Sequence, residues 1–315
     1  MMITVCFLSS CENGAGTPPL LLSPNNKGVW KNIKGTPVLD PDFLNADYFV
    51  IRETTKKEVL TLIPKEKTIC FPSEPDDIRV RKVYHGKGFK YVFNYYNNIH
   101  PFDALYFMGN DYDFYKNLKY PEKNKTCSCV MSGKVMTKMH KKRKNFLINF
   151  VNKYPNVIDH WGESWKYPHP TYKGTLSKGN KHGHPTKLDA LLPYKYTIVC
   201  ENNTDNFTEK LTDAFMCHTI PIFAGKKNLS DYFPKESFYQ IDLDNPNVND
   251  EIVNIIEKPI TDENIKALKI ARQLCLEHYN IWELVHHVIE YDKSKSSEPY
   301  QHFRYIDNKE LFEKL

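Results

Sequence analysis

Between Tyr194 and Gly225 the chain reads YKYTIVCENNTDNFTEKLTDAFMCHTIPIFAG. Two near-continuous apolar runs, Tyr196–Cys200 and Thr219–Phe223, enclose a polar loop and a segment of helical spacing, Thr208–Cys217. A strand without polar alternation is covered on both faces, and strands joined through a helix run parallel. This one unit confines the surrounding chain to an α/β fold.

The same alternation extends in both directions. Upstream, Ile3–Leu8, Ala46–Ile51, Thr68–Phe71 and Leu105–Met108 are short apolar runs separated by Pro- and Asn-rich connections. Lys56–Leu62, halted by Pro64, and Asp111–Leu118 read as short helices. Thr126–Met131 predicts a further strand, and Thr137–Tyr154 a helix with Phe146, Leu147, Phe150 and Val151 at 3.6-residue spacing. A polar loop, Gly162–Thr186, precedes the central unit. Downstream, Phe238–Ile241 reads as a strand, Glu263–Tyr291 as a long helix or helical pair, and Asp292–Pro299 as a linker before a polar tail.

A chain of 315 residues exceeds the size at which one core keeps growing. Two α/β domains are therefore expected, 1–122 and 123–315, with the boundary inside Tyr120–Lys125 and the C-terminal helices and tail in the second. The hydrophobic share of 41% and aromatic share of 13% exclude a disordered chain. A net charge of +5, from 43 basic and 38 acidic residues, is too mild for a dedicated nucleic-acid binder. No apolar run reaches membrane-span length. The opening Met1–Leu8 lacks a basic start and reads as a first core strand rather than a signal peptide.

Cys70, Cys127, Cys129, Cys200 and Cys275 are scattered through apolar runs, which fits a reducing compartment better than a disulfide framework. Sequons stand at Asn124, Asn202, Asn206 and Asn228, and glycans at the second and third would block the candidate site described next. Both features point to a cytosolic protein. The absence of a GxGxxG motif counts against a dehydrogenase. His169, His182 and His184 share the polar loop, and Asp111-Tyr112-Asp113 and Asp242-Leu243-Asp244 form acidic triplets. None of these is assigned to a metal.

In open α/β sheets, ligands settle at the carboxyl ends of strands and at helix N-termini. Glu201 and Asn202 close one strand, and Thr208, Glu209 and Lys210 open the next helix. A lysine in the first turn opposes the helix dipole by a few tenths of a kcal/mol, which a bound anion would offset. An ordinary N-cap with a surface charge pair reads equally well from these residues alone. Arg143 sits in the basic segment Lys138–Lys144, where a guanidinium suits a diphosphate, although the flanking lysines read as a solvated face. The Thr68–Phe71 run delivers Glu74 just past its carboxyl end.

The ordered combination resembles glycosyltransferase family 10, the α1,3/α1,4-fucosyltransferases. The matching residues are Cys200-Glu201-Asn202, Asn206-Phe207-Thr208-Glu209-Lys210 and His218–Gly225, then Asp231–Pro234, Ser237-Phe238 and Ile241-Asp242. They are preceded by Arg143 with Asn145-Phe146-Leu147, and by Asp159 and Gly162. The likeness is clearest over 126–243. It implies two Rossmann-like domains facing across a cleft (the GT-B type) and an inverting transfer of fucose from GDP-fucose to an N-acetylglucosamine- or glucose-type saccharide. It further implies Glu74 as catalytic base and Arg143, Glu201, Asn202, Asn206, Thr208, Glu209 and Lys210 around the donor. No essential metal or other cofactor is expected. Asn206 stands where the family has Tyr, and the 202–210 loop is about two residues shorter. A different nucleotide sugar, or a non-catalytic sugar- or nucleotide-binding relative, therefore stays open. With no membrane anchor, the expected setting is the cytosol of a bacterial or viral system.

Overall fold

The computed structural model describes residues 1–9, 18–36, 42–52, 55, 57–71, 88–92, 110–166, 169–176, 187–204, 207–298, 300, 301 and 303–312. These form two compact units, one within Met1–Tyr106, Asn110–Asn117 and Glu277–His302, the other within Leu118–Leu276 and Phe303–Leu315. Residues 277–302, which the sequence pattern assigned to the second half, thus pack in the first unit. Among the described residues, no helix is long and apolar enough to cross a membrane.

The first unit is built on six strands: β1 (Ile3–Ser9), β2 (Val29–Trp30), β3 (Ile33–Thr36), β4 (Tyr48–Arg52), β5 (Thr68–Phe71) and β6 (Tyr91–Val92). Their order is β2-β3-β1-β4-β5-β6, with every neighbour parallel except the β2–β3 hairpin. The apolar runs occupy the sheet centre, where Val5, Phe49, Ile51 and Ile69 are buried. Gly35 lets the Trp282 ring lie against the β2–β3 hairpin, since an added Cβ at Gly35 would stand 2.7 Å from it. Trp282 belongs to the Ile281–Ser294 helix. Glu283 beside it accepts from Trp30 Nε1 at 2.7 Å and from Lys31 Nζ at 2.6 Å. These bonds fix the helix to this unit.

The second unit carries β7 (Lys125–Val130), β8 (Asp159–Trp161), β9 (Tyr172–Gly174), β10 (Tyr194–Cys200), β11 (Ile220–Ala224) and β12 (Tyr239–Gln240). All neighbours are parallel, in the order β12-β11-β10-β7-β8-β9. This is the Rossmann order 3-2-1-4-5-6. The chain winds outward from β7 through β8 and β9, then returns to the other side of β7 with β10. The topological switch point therefore lies between β7 and β10.

The helix after β7 spans Lys138–Lys153, capped by Thr137, whose hydroxyl accepts from His140 N at 3.2 Å. Its expected stripe of Phe146, Leu147, Phe150 and Val151 is buried, worth about 2 kcal/mol per side chain. The predicted helical pair after residue 262 is Asp262–Gln273 and Ile281–Ser294, separated by a π-helical turn at Leu274–His278. The short strands β2, β3, β6, β8 and β9 and the Val248–Ile256 helix were not among the predicted elements. The predicted strand at 105–108 lies outside the described residues. Cys6, Cys70, Cys127, Cys129, Cys200, Cys217 and Cys275 are all buried, and none forms a disulfide among the described residues.

Candidate functional site

At the switch point, Arg143 reaches from the Lys138–Lys153 helix toward the ends of both central strands. Its Nη1 donates to Asn202 Oδ1 at 2.6 Å and to the Cys200 carbonyl at 3.5 Å, and its Nη2 to Ser132 Oγ at 3.3 Å. Cys200 ends β10, and Ser132 lies two residues past β7. The residue is only 4% exposed. Burial pushes the guanidinium pKa below its usual value, while the Glu201 and Glu209 charges act in the opposite direction. Its Nε is buried without a hydrogen-bond partner. A cation of this kind, at the carboxyl edge of a parallel sheet, favours an anionic ligand. The first turn of its helix holds no acidic residue, so its dipole also favours an anion there.

The second strand of the pair organises a carboxylate-centred cap. Glu201 is 1% exposed. It accepts from Thr208 N at 2.7 Å and from the Thr208 hydroxyl at 2.8 Å, and Lys210 Nζ stands 3.4 Å away. Thr208 in turn caps the Glu209–Met216 helix and accepts from Lys210 Nζ at 2.9 Å. Lys210 Nζ also lies 3.2 Å from Glu209. Burial works to raise the Glu209 carboxyl pKa, but Lys210 and Lys187 outweigh it and hold it near about 2. The lysine that opposes the dipole is therefore held by two carboxylates. The carboxyl of Glu201 is committed to ordering the helix start.

Close backbone approach shapes the same edge. An added Cβ on Gly225, just past β11, would stand 2.4 Å from Phe223 Cζ and 2.9 Å from Glu201 Cγ. Gly162 has φ +155, and an added Cβ there would stand 1.9 Å from the Met131 carbonyl oxygen. That carbonyl accepts from Trp165 Nε1 at 2.7 Å and contacts His160 Nε2 at 3.1 Å. His160 stacks on His169, with ring centroids 5.4 Å apart. His160, Gly162 and Trp165 therefore hold the Met131–Ser132 backbone from which Ser132 meets Arg143.

The structure brings Arg143, Glu201, Asn202, Thr208, Glu209 and Lys210 to one edge of one sheet. Glu74 and Asn206 lie outside the described residues. Sequence reasoning did not pick out Ser132, Lys187 or Asp213. Ser132 and Lys187 carried a weak signal in their places, one after a strand and one before a short helix. Asp213 carried only its helical spacing from Glu209. Among the described residues, no group of three or more His, Cys, Asp or Glu side chains is placed to hold a metal. Asp111 and Asp113 accept from Phe114 N and Asn25 N, and Asp242 accepts from Asp244 N. His182 and His184 lie outside the described residues.

Residues 120–263 match the family model described as glycosyltransferase family 10 (fucosyltransferase), C-terminal. A sequence search of curated proteins finds no match. Among solved structures, an alpha1,3-fucosyltransferase with GDP is similar at a TM-score of 0.49 and 14% identity, covering 99% of this chain and 90% of that one. An alpha1,3-fucosyltransferase with GDP-fucose gives a TM-score of 0.47 at 14% identity, covering 99% of this chain and 89% of that one. The Anabaena protein Alr3699/HepE in complex with UDP and glucose gives 0.48 at 9% identity, covering 93% and 100%. The family match spans the whole β7–β12 sheet and every described residue of the site, so the chain carries a glycosyltransferase family 10 domain over residues 120–263.

Proposed function

We propose that the chain transfers L-fucose from GDP-fucose to a hydroxyl of an N-acetylglucosamine- or glucose-type saccharide, with inversion at the anomeric carbon. The observation that carries this reading is Arg143, buried at the β7–β10 switch point and hydrogen-bonded to the loops after both strands. In this mechanism Arg143 and Lys210 neutralise the negative charge that grows on the diphosphate as the anomeric C–O bond breaks. The helix opened by Thr208 adds its dipole. Asn202 and Glu209 hold ribose or sugar hydroxyls, with Asn206 beside them. Glu201 is assigned the work of holding Thr208 and Lys210 in place. Glu74 takes the proton from the acceptor hydroxyl as its oxygen bonds to the anomeric carbon, and GDP departs from the opposite face.

Protein cations supply the charge stabilisation in this scheme, so turnover is expected to survive chelation. The test is nucleotide release by the purified protein from GDP-fucose, GDP-mannose, UDP-GlcNAc and UDP-glucose, with and without simple saccharides and with EDTA. Release of GDP from GDP-fucose alone, unchanged by EDTA, supports the assignment. Release from another donor keeps the enzyme and overturns the donor. Glu74→Gln should abolish transfer and spare GDP binding. Equal turnover by that variant would remove Glu74 from the mechanism.

A further inference from the structure

Past its last residue, β7 stays paired on one side only. Met131 N donates to the Trp161 carbonyl at 2.8 Å and Gly133 N to the Glu163 carbonyl at 2.8 Å, so the chain still runs alongside the end of β8 and the segment after it. Along an extended segment, successive backbone N–H groups point alternately to the two neighbouring strands. The Ser132 N–H, between these two donors, therefore faces β10.

On that side the ladder stops. The last β7–β10 pair is Cys129 with Ile198. Continued in the same register, the ladder would offer the Cys200 carbonyl to the Ser132 N–H. That bond is not formed, and among the described residues the Ser132 N–H has no hydrogen-bond partner. Arg143 stands at the break. Its Nη1 donates to the Cys200 carbonyl at 3.5 Å and its Nη2 to the Ser132 hydroxyl at 3.3 Å. The guanidinium thus takes the carbonyl and leaves the amide donor.

The peptide unit that carries this donor is fixed from its other side. The Met131 carbonyl accepts from Trp165 Nε1 at 2.7 Å and lies 3.1 Å from His160 Nε2. Hydrogen bonds onto a carbonyl polarise its peptide and strengthen the N–H at the far end. Ser132 is partly exposed, whereas Arg143 beside it is buried with its Nε unpartnered. An oriented N–H next to a guanidinium is a donor pair for an oxyanion.

We propose that the Ser132 backbone N–H, aimed into the gap between β7 and β10, donates to a phosphate oxygen of the nucleoside diphosphate that Arg143 neutralises. This inference rests on the nucleotide-sugar reading of the site. The donor is main chain, so no side-chain pattern in the sequence announces it.

The test uses the full-length protein, isotopically labelled at its serine amides and observed by NMR. Ser132→Ala, which deletes the hydroxyl and keeps the N–H, identifies the Ser132 signal by its loss. Saturating GDP is expected to move that signal downfield, and guanosine, which lacks the phosphates, to leave it in place. Ser132→Pro removes the N–H and is compared with Ser132→Ala by titration calorimetry, with thermal midpoints alongside. Its GDP affinity should be about tenfold below that of Ser132→Ala, as for one lost hydrogen bond to a charged group. If Ser132→Pro does not fold, the amide signal of the parent decides alone. A signal unmoved by bound GDP, or moved equally by guanosine, overturns the inference. So does a folded Ser132→Pro that binds GDP as tightly as Ser132→Ala. A parent that shows no GDP binding by calorimetry defeats the nucleotide-sugar reading itself.

Discussion

Arg143 Nη1 lies 2.6 Å from Asn202 Oδ1, which ties the helix after β7 to the loop after β10 across the switch point of a six-stranded parallel sheet. The bond holds the guanidinium plane with few degrees of freedom left. A diphosphate arriving there would meet a preorganised cation rather than a mobile one, and little reorganisation would be needed during transfer.

Arg143→Lys should keep a positive charge and lose the planar fork that reaches Asn202, Cys200 and Ser132 together. The expected result is a tenfold to hundredfold fall in GDP affinity, on the order of 1.5–3 kcal/mol. Titration calorimetry with GDP measures this directly. Unchanged affinity would detach Arg143 from the diphosphate.

Glu201→Gln tests the cap. Thr208 N and the Thr208 hydroxyl both donate to this carboxylate, and Lys210 sits on it from a third direction. A glutamine offers one acceptor and turns an NH2 donor toward another donor. We expect a loss of about 2–3 kcal/mol in urea unfolding, together with weaker GDP binding, because Lys210 loses its anchor. A variant as stable as the parent would show that Glu201 does not order the helix start.

The central strands were legible because burial on both faces writes itself as uninterrupted apolar residues. Tyr194–Cys200 and Ile220–Ala224 are buried at nearly every position. The Lys138–Lys153 helix was legible for the complementary reason, an apolar stripe on an otherwise basic segment. The two-residue strands β2, β6 and β12 are too short for a period to develop, though β12 fell inside a predicted apolar run. The location of residues 277–302 was hidden because Trp282 and Glu283 find their partners, Gly35, Trp30 and Lys31, some 250 residues earlier in sequence. The candidate-site cluster was visible as a spacing of Glu201, Thr208 and Lys210. The pattern did not reveal that Glu201 is turned toward Thr208, nor that Lys187 and Asp213 meet.

Gly225→Ala should damage the same edge through sterics alone. The new methyl would stand 2.4 Å from Phe223 Cζ and 2.9 Å from Glu201 Cγ. Phe223 is fully buried and has no room to withdraw. The expected overpacking cost is about 1–3 kcal/mol, with a matching displacement of Glu201 and weaker GDP binding. Denaturant midpoints and GDP titrations on one preparation check both effects, and full retention of both would mean the edge is softer than its packing.

Stability should also fall on the acid side, for a reason carried by two buried histidines. His160 is fully buried, and burial pushes its pKa down from 6.5 to about 4. Burial, with Arg272 as a further cause, pushes His218 down to about 3. For a base with a depressed folded pKa, both states are neutral above 6.5, and the unfolded chain takes the proton first as the pH drops. The stabilisation is therefore present above pH 6.5 and is lost as the pH falls toward 4, by up to about 3 kcal/mol per imidazole. Asp213 acts with the opposite sign. Burial, opposed by Lys187, raises its carboxyl from 3.8 to about 7, so between those values the unfolded chain releases its proton first and stability falls as the pH rises. Urea midpoints at pH 5 and pH 7.5 separate the two contributions. His160→Gln, which keeps a donor for the Met131 carbonyl, should flatten the acid loss, whereas Asp213→Asn should steepen it. Parallel curves for the parent and both variants would mean that neither group changes protonation on unfolding in this window.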